Sequence, residues 1–156
     1  MKRKSTCLLF VMLCCFSLTP ALAAPDFSGT WILNTSRSKN IGMMSAMQIT
    51  LKIEQTGKLL TVHEVSKFNG QEQTRDLRYD LTGKTTPNDG PMGDPNQTVT
   101  KWAGETLITT WTQEGAVAGS KIVRTETRWL SDAGKTMTDQ YVRGNNPPML
   151  LIFEKQ

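Results

Sequence analysis

The chain has 156 residues, enough for one domain with a substantial core. Its Lys+Arg count of 18 exceeds its Asp+Glu count of 14, but Lys2, Arg3 and Lys4 stand in a segment that reads as a targeting signal. Without them Lys+Arg is 15 and the net charge falls from +4 to +1, which removes any compositional case for nucleic acid or an anionic membrane surface as partner.

Those three basic residues precede an apolar run over residues 8–18, too short to span a bilayer, and then Ala21-Leu22-Ala23, a small-x-small cleavage pattern. The expectation is a signal peptide over residues 1–23, export to the periplasm or the extracellular space, and one mature domain over residues 24–156. Cys7, Cys14 and Cys15 all fall within the signal, so the mature chain has no cysteine and its core must hold it together without disulfides. No transmembrane segment is expected after cleavage.

The mature part opens on Phe27-Ser28-Gly29-Thr30-Trp31. A glycine there permits close backbone approach, and the indole can plug one end of a barrel with a large buried surface, so Gly29 and Trp31 are the predicted closing elements. Residues 34–40 are polar and without strand pattern. Residues 41–46 fit one helical turn carrying Met43 and Met44, with Met47 just beyond. Met47, Ile49, Leu51 and Ile53 alternate with polar residues, the mark of a half-buried strand. Leu60, Val62 and Phe68 mark the next. Asn69-Gly70 is a hairpin turn of the primed type. It leads into residues 71–81, with Leu77, Tyr79 and Leu81 on one face.

Residues 83–96 read as the one long loop, because Pro87, Gly90, Pro91, Gly93 and Pro95 exclude a central strand. Five further strands follow, over residues 98–102, 106–112, 121–130, 135–142 and 149–154, with tight turns between them. No helix of ordinary length is predicted. Evenly spaced strands with short turns imply an all-β fold, a single antiparallel meander of about eight to ten strands closed into a barrel that leaves no free edge.

Four collinear stretches resemble the calycin superfamily, which includes the lipocalins and the intracellular fatty-acid-binding proteins. They are residues 27–31 (FSGTW), 57–68 (GKLLTVHEVSKF), 121–126 (KIVRTE) and 152–155 (IFEK). The last three are closer to the fatty-acid-binding branch. The resemblance implies a lipocalin-like barrel around a small apolar or amphipathic ligand. This chain departs from that branch in three ways. Residues 34–46 are too short for the branch's two-helix lid. The Arg-x-Tyr that grips a carboxylate in its last strand is replaced by Leu151-Ile152-Phe153. The chain also carries an export signal, whereas that branch is mostly intracellular.

Among residues that could carry chemistry, His63 is the sole histidine. It lies on the parity opposite Leu60 and Val62 and so faces water, and without cysteine beside it no His/Cys metal cluster can form. Asp132, Asp139, Glu54 and Glu64 show no paired-carboxylate spacing and read as strand-surface charges. Arg75 is different, because it shares parity with Leu77, Tyr79 and Leu81. A guanidinium on an apolar face must meet an interior acid, reach water in a cavity, or bind an anionic ligand. Arg124 has two readings. The resemblance turns it inward, while periodicity puts Val123, Thr125, Thr127 and Trp129 inside and leaves Arg124, Glu126 and Arg128 as a solvated row. Trp102, Trp111 and Trp129 either line a cavity or fill the core. Asn34-Thr-Ser and Asn96-Gln-Thr are glycosylation sequons.

The sequence thus predicts an exported, non-enzymatic binding protein for a small, partly apolar and in one version acidic ligand, with no metal and no cofactor. The predicted ligand-binding residues are Arg75, Arg124, Tyr141, Tyr79, Trp102 and Trp111. The competing reading is a structural or protein-interaction barrel whose interior is packed with side chains.

Overall fold

The computed structural model describes residues 24–156, so the predicted signal and its cleavage point lie outside the described residues. Ten antiparallel strands form one sheet: β1 (Gly29–Leu33), β2 (Gln48–Gln55), β3 (Leu59–Phe68), β4 (Gln71–Asp80), β5 (Thr85–Asp89), β6 (Pro95–Ala103), β7 (Thr106–Glu114), β8 (Lys121–Ser131), β9 (Thr136–Val142) and β10 (Met149–Lys155). Their order across the sheet is β4-β3-β2-β1-β10-β9-β8-β7-β6-β5. The first and last strands of the chain are therefore neighbours in the middle of the sheet. The sheet curls into a nearly closed barrel, and β4 and β5 form its seam.

Local chemistry explains the turns. Asn69 and Gly70 both have positive φ, 49° and 77°, as a primed two-residue turn requires, and the turn sets the β3–β4 register with Phe68 opposite Gln71. Between β1 and β2 the chain makes only a single 3-10 turn, Gly42–Ala46, with Ile41 buried at its start. That is the helical turn expected there, and it is no two-helix lid.

Residues 83–96 are not the loop the sequence suggested. Thr85–Asp89 forms β5, and β6 begins at Pro95. Pro87 does exclude a central strand, but β5 is the last strand of the sheet, where a missing N–H is tolerated. No ladder joins β5 to β4. The Asn88 side chain bridges them instead, with its Oδ1 accepting from the Arg78 N–H and its Nδ2 donating to the Arg78 carbonyl, both at 2.8 Å. One amide thus imitates the peptide group of a neighbouring strand. Nδ2 also donates to Thr98 Oγ1.

Consecutive hairpins of a meander turn at alternate ends of the barrel. The end holding the β2–β3, β4–β5, β6–β7 and β8–β9 turns is closed by Phe27, Trp31 and Trp102. Trp31 is fully buried, donates its indole N–H to the Phe27 carbonyl at 2.8 Å, and has Lys155 Nζ 5.2 Å from its ring centre. Phe27 stacks on Trp102 with ring centres 6.1 Å apart. Gly29 is required here for a reason other than backbone approach. Its φ is +134°, and a Cβ would lie 2.7 Å from the Lys155 side chain that covers Trp31.

Candidate functional site

The apolar residues of β2, β3, β4 and β10 point inward, but they do not fill the barrel. A cavity of about 390 Å³ opens toward the end that carries the 3-10 turn and the β3–β4, β5–β6, β7–β8 and β9–β10 turns. This decides against a fully packed interior. One wall is apolar, with Ile49, Leu51, Val62, Leu77, Leu151 and Phe153. Leu151 and Phe153 hold the positions of the missing Arg-x-Tyr, so β10 gives this cavity hydrocarbon where the fatty-acid-binding branch has a polar grip. Met44 and Met47 extend the apolar surface to the mouth.

The facing wall is polar. Arg124, Arg128, Asp139 and Tyr141 come from β8 and β9, Trp111 from β7, and Arg75 and Glu64 from the β3–β4 hairpin. The inward face of β8 is therefore the charged one. Of its two readings the inward one holds, and Val123, Thr125, Thr127 and Trp129 lie on the outer face. Periodicity misleads here because threonine, valine and tryptophan suit the outside of a pleated sheet as well as its inside.

The charges are arranged as cross-strand pairs. Arg128 faces Asp139 on β9 and binds it with two contacts, Nε–Oδ1 at 2.6 Å and Nη2–Oδ2 at 2.8 Å. Its Nη2 also donates to Glu126 Oε1 at 2.9 Å, and Trp111 Nε1 donates to Glu126 Oε2 at 2.8 Å. Asp139 is 1% exposed, so it is a core residue and not the surface charge the sequence suggested. Burial pushes the Glu126 carboxyl up, Arg128 opposes that, and the Asp139 charge adds to it. Burial works against the Arg128 cation, but Asp139 and then Glu126 hold it charged. Tyr79 stands edge-on to Trp111, with ring centres 6.0 Å apart and planes at 78°. Burial, then the Glu126 charge, raises the Tyr79 phenol well above its ordinary value, and the same two causes raise Tyr141.

Arg75 meets an interior acid, one of its three foreseen fates. Its Nη2 lies 2.7 Å from Glu64 Oε2, and its Nη1 donates to the Asp89 carbonyl across the seam at 3.2 Å. Glu64 therefore belongs to the interior as well. Arg143 also lines the mouth but is exposed, and Arg124 differs from Arg75 and Arg128. Arg124 pairs with no carboxylate among the described residues and lies over the Trp111 ring at 4.7 Å; its Nε, like that of Arg75, is buried without a hydrogen-bond partner.

Arg75, Arg124, Tyr79, Tyr141 and Trp111 are thus brought together around one cavity. Trp102 is not among them, because its ring belongs to the closed end. His63 is exposed on the outside, paired with Asp76 at 2.7 Å. Asn96 is buried and donates to Asp94, so the folded chain has no room for a glycan there. Sequence reasoning missed Glu64, Glu126, Arg128 and Asp139 as interior groups. One of them was within reach: a two-residue turn at Asn69-Gly70 puts residue 64 opposite residue 75, so Glu64 is the acid that Arg75 needed.

No protein-family model and no curated protein sequence matches the chain. Solved structures do. A fatty acid transporter, REP1-NXSQ, superposes with a TM-score of 0.65 at 19% identity, over 83% of this chain and 96% of that one. A Schistosoma mansoni fatty acid binding protein in complex with arachidonic acid gives 0.63 at 18% identity, over 83% and 96%. Caenorhabditis elegans lipid binding protein 8 gives 0.63 at 16% identity, over 83% and 95%. The chain has the calycin fold. In this calycin barrel the interior charges are held mainly by β8 and β9, and β10 contributes only apolar groups to the cavity.

Proposed function

We propose that the protein is an exported, non-enzymatic carrier of a small acidic amphiphile. The ligand's apolar body would lie against Ile49, Leu51, Val62 and Phe153, and its anionic head would meet Arg124. The observation that carries this reading is the Arg124 guanidinium on the cavity wall, held over the Trp111 ring and in no ion pair among the described residues. Arg75 pairs with Glu64, and Arg128 with Glu126 and Asp139, whereas Arg124 acts on Glu126 only at longer range and keeps its N–H groups for a ligand. A charge-assisted contact there is stronger than a neutral hydrogen bond. The fatty-acid and lipid carriers named among the solved structures support the ligand class. A volume near 390 Å³ suits one molecule of modest size. The basic residues 2–4, the apolar run and Ala21-Leu22-Ala23 support export, and an intact mass beginning at Ala24 in exported protein checks it.

The test is Arg124→Met, assayed by displacement of a fluorescent fatty acid in solution. Affinity for an acidic ligand should fall by about 1.5–3 kcal/mol while its methyl ester binds as before. Thermal stability should fall only slightly, since the change removes the contact with the Trp111 ring but no hydrogen bond to a carboxylate. Equal loss for acid and ester, or a wild-type protein that no acid in a panel stabilises, would sink the reading.

A further inference from the structure

Large apolar side chains stand exposed on four of the five segments that surround the open mouth. Met43 lies on the 3-10 turn and is 84% exposed, Phe68 sits beside the β3–β4 turn, Met92 at the β5–β6 turn is 90% exposed, and Val117 at the β7–β8 turn is 71% exposed. The four turns of the opposite end carry none. A second hollow of about 200 Å³ runs between Met43 and Phe68 and shares Met47, Ser66 and Gln73 with the main cavity. The second hollow thus borders the main cavity and is flanked by two of the exposed apolar residues.

We propose that the open end docks on a phospholipid surface, with these tips inserted among the lipids and the mouth placed against them. This rests on the carrier reading only for its purpose, the exchange of ligand, and not for its geometry. Separate side chains on separate tips suit a fluid partner. A protein partner, or a second copy of this chain, calls instead for one contiguous complementary patch. Rim charges cancel across the strands: Lys67 faces Glu72, with Nζ–Oε2 at 3.0 Å, and Lys121 is the ladder partner of Glu114. The surface therefore offers apolar insertion with little net field, and the lipid it fits is zwitterionic.

Flotation with phosphatidylcholine vesicles tests this. Wild-type protein should float with the vesicles equally at low and high salt, because no counterions are released. The triple variant Met43→Ser, Met92→Ser, Val117→Ser should lose about tenfold or more in vesicle affinity, as expected for removing inserted apolar groups. Its melting temperature and its solution affinity for a fluorescent fatty acid should be unchanged. The proposal is overturned if wild-type protein does not float, if the triple variant floats as well as wild type, if binding requires anionic lipid and vanishes with salt, or if sedimentation shows a dimer that the triple substitution abolishes. Failure to float with solution affinity intact removes docking and leaves the carrier. Flotation by a protein that binds no ligand in solution removes the carrier and leaves docking.

Discussion

At the closed end Phe27, Trp31 and Trp102 interlock, Lys155 lies over the indole, and no turn exposes a large apolar side chain. At the open end methionines, a phenylalanine and a valine stand in solvent around an unfilled cavity. The same ten strands run through both. The difference is therefore one of side chains, and it separates two tasks along one set of strands. Aromatic packing and a satisfied indole hold the barrel shut at one end, while the other end keeps apolar surface and a charged interior wall exposed to whatever enters. Binding regions are commonly drawn from the less stable parts of a fold, and here that division runs along the barrel axis.

Removing the plug breaks this comparison most severely. Trp31→Ala deletes a fully buried side chain, its hydrogen bond and its contact with Lys155, and should cost about 3–5 kcal/mol by denaturant unfolding. A variant melting within a few degrees of wild type would show that the closed end is not where the stability lies.

Asn88→Ala addresses the seam near the mouth. Losing its bonds to Arg78 and Thr98 should cost about 1–3 kcal/mol. Hydrogen exchange should rise in β5 while β1 and β10 stay protected; a uniform rise would mean that the ends are not separable.

An effect confined to alkaline pH lies between the ends, at the two tyrosines, the only ones in the chain. Both phenols are raised well above the ordinary value of 10.0, chiefly by burial. Between the unfolded and folded values the unfolded chain has released protons that the native barrel keeps. Stability is thus unaffected below about pH 10 and falls as pH rises beyond it, by about 1.4 kcal/mol per pH unit for each phenol. Phenolate absorbance from Tyr79, which is 2% exposed, should appear only together with unfolding, whereas Tyr141 is half-buried at the cavity. A reversible titration near the ordinary value in folded protein would place the tyrosines in water and erase the polar wall's buried character.

The closed end was legible in the sequence and the polar wall largely was not. Gly29 and Trp31 announce themselves by residue type, and Asn69-Gly70 fixes a turn and, through it, a register. Alternation identifies β2, β3 and β4 because one of their faces is plainly apolar. β5 escaped because proline reads as a breaker, and only its place at the seam makes Pro87 tolerable. On β8 the alternation was real but its polarity was inverted, since Arg124, Glu126 and Arg128 point inward. That inversion depends on Asp139 and Trp111 arriving opposite them from β9 and β7. Such compensation is a property of register between strands, and period-two counting along one strand does not contain it.

The seam has a consequence for how the chain could be threaded. Reading across the sheet from β5 to β10 and then from β1 to β4 gives an unbroken run of neighbouring strands, and the one absent ladder falls between β4 and β5. The first and last strands meet in mid-sheet, with Trp31 opposite Lys155 and the Gln156 N–H bonded to the Thr30 carbonyl. Joining residue 156 to residue 24 with a short linker and reopening the chain at the Gly83 turn would make every strand pair a sequence neighbour. The long-range pairing of β1 with β10 would become a hairpin. Such a circular permutant has a lower contact order for the same barrel, and its folding should be faster than that of the natural order.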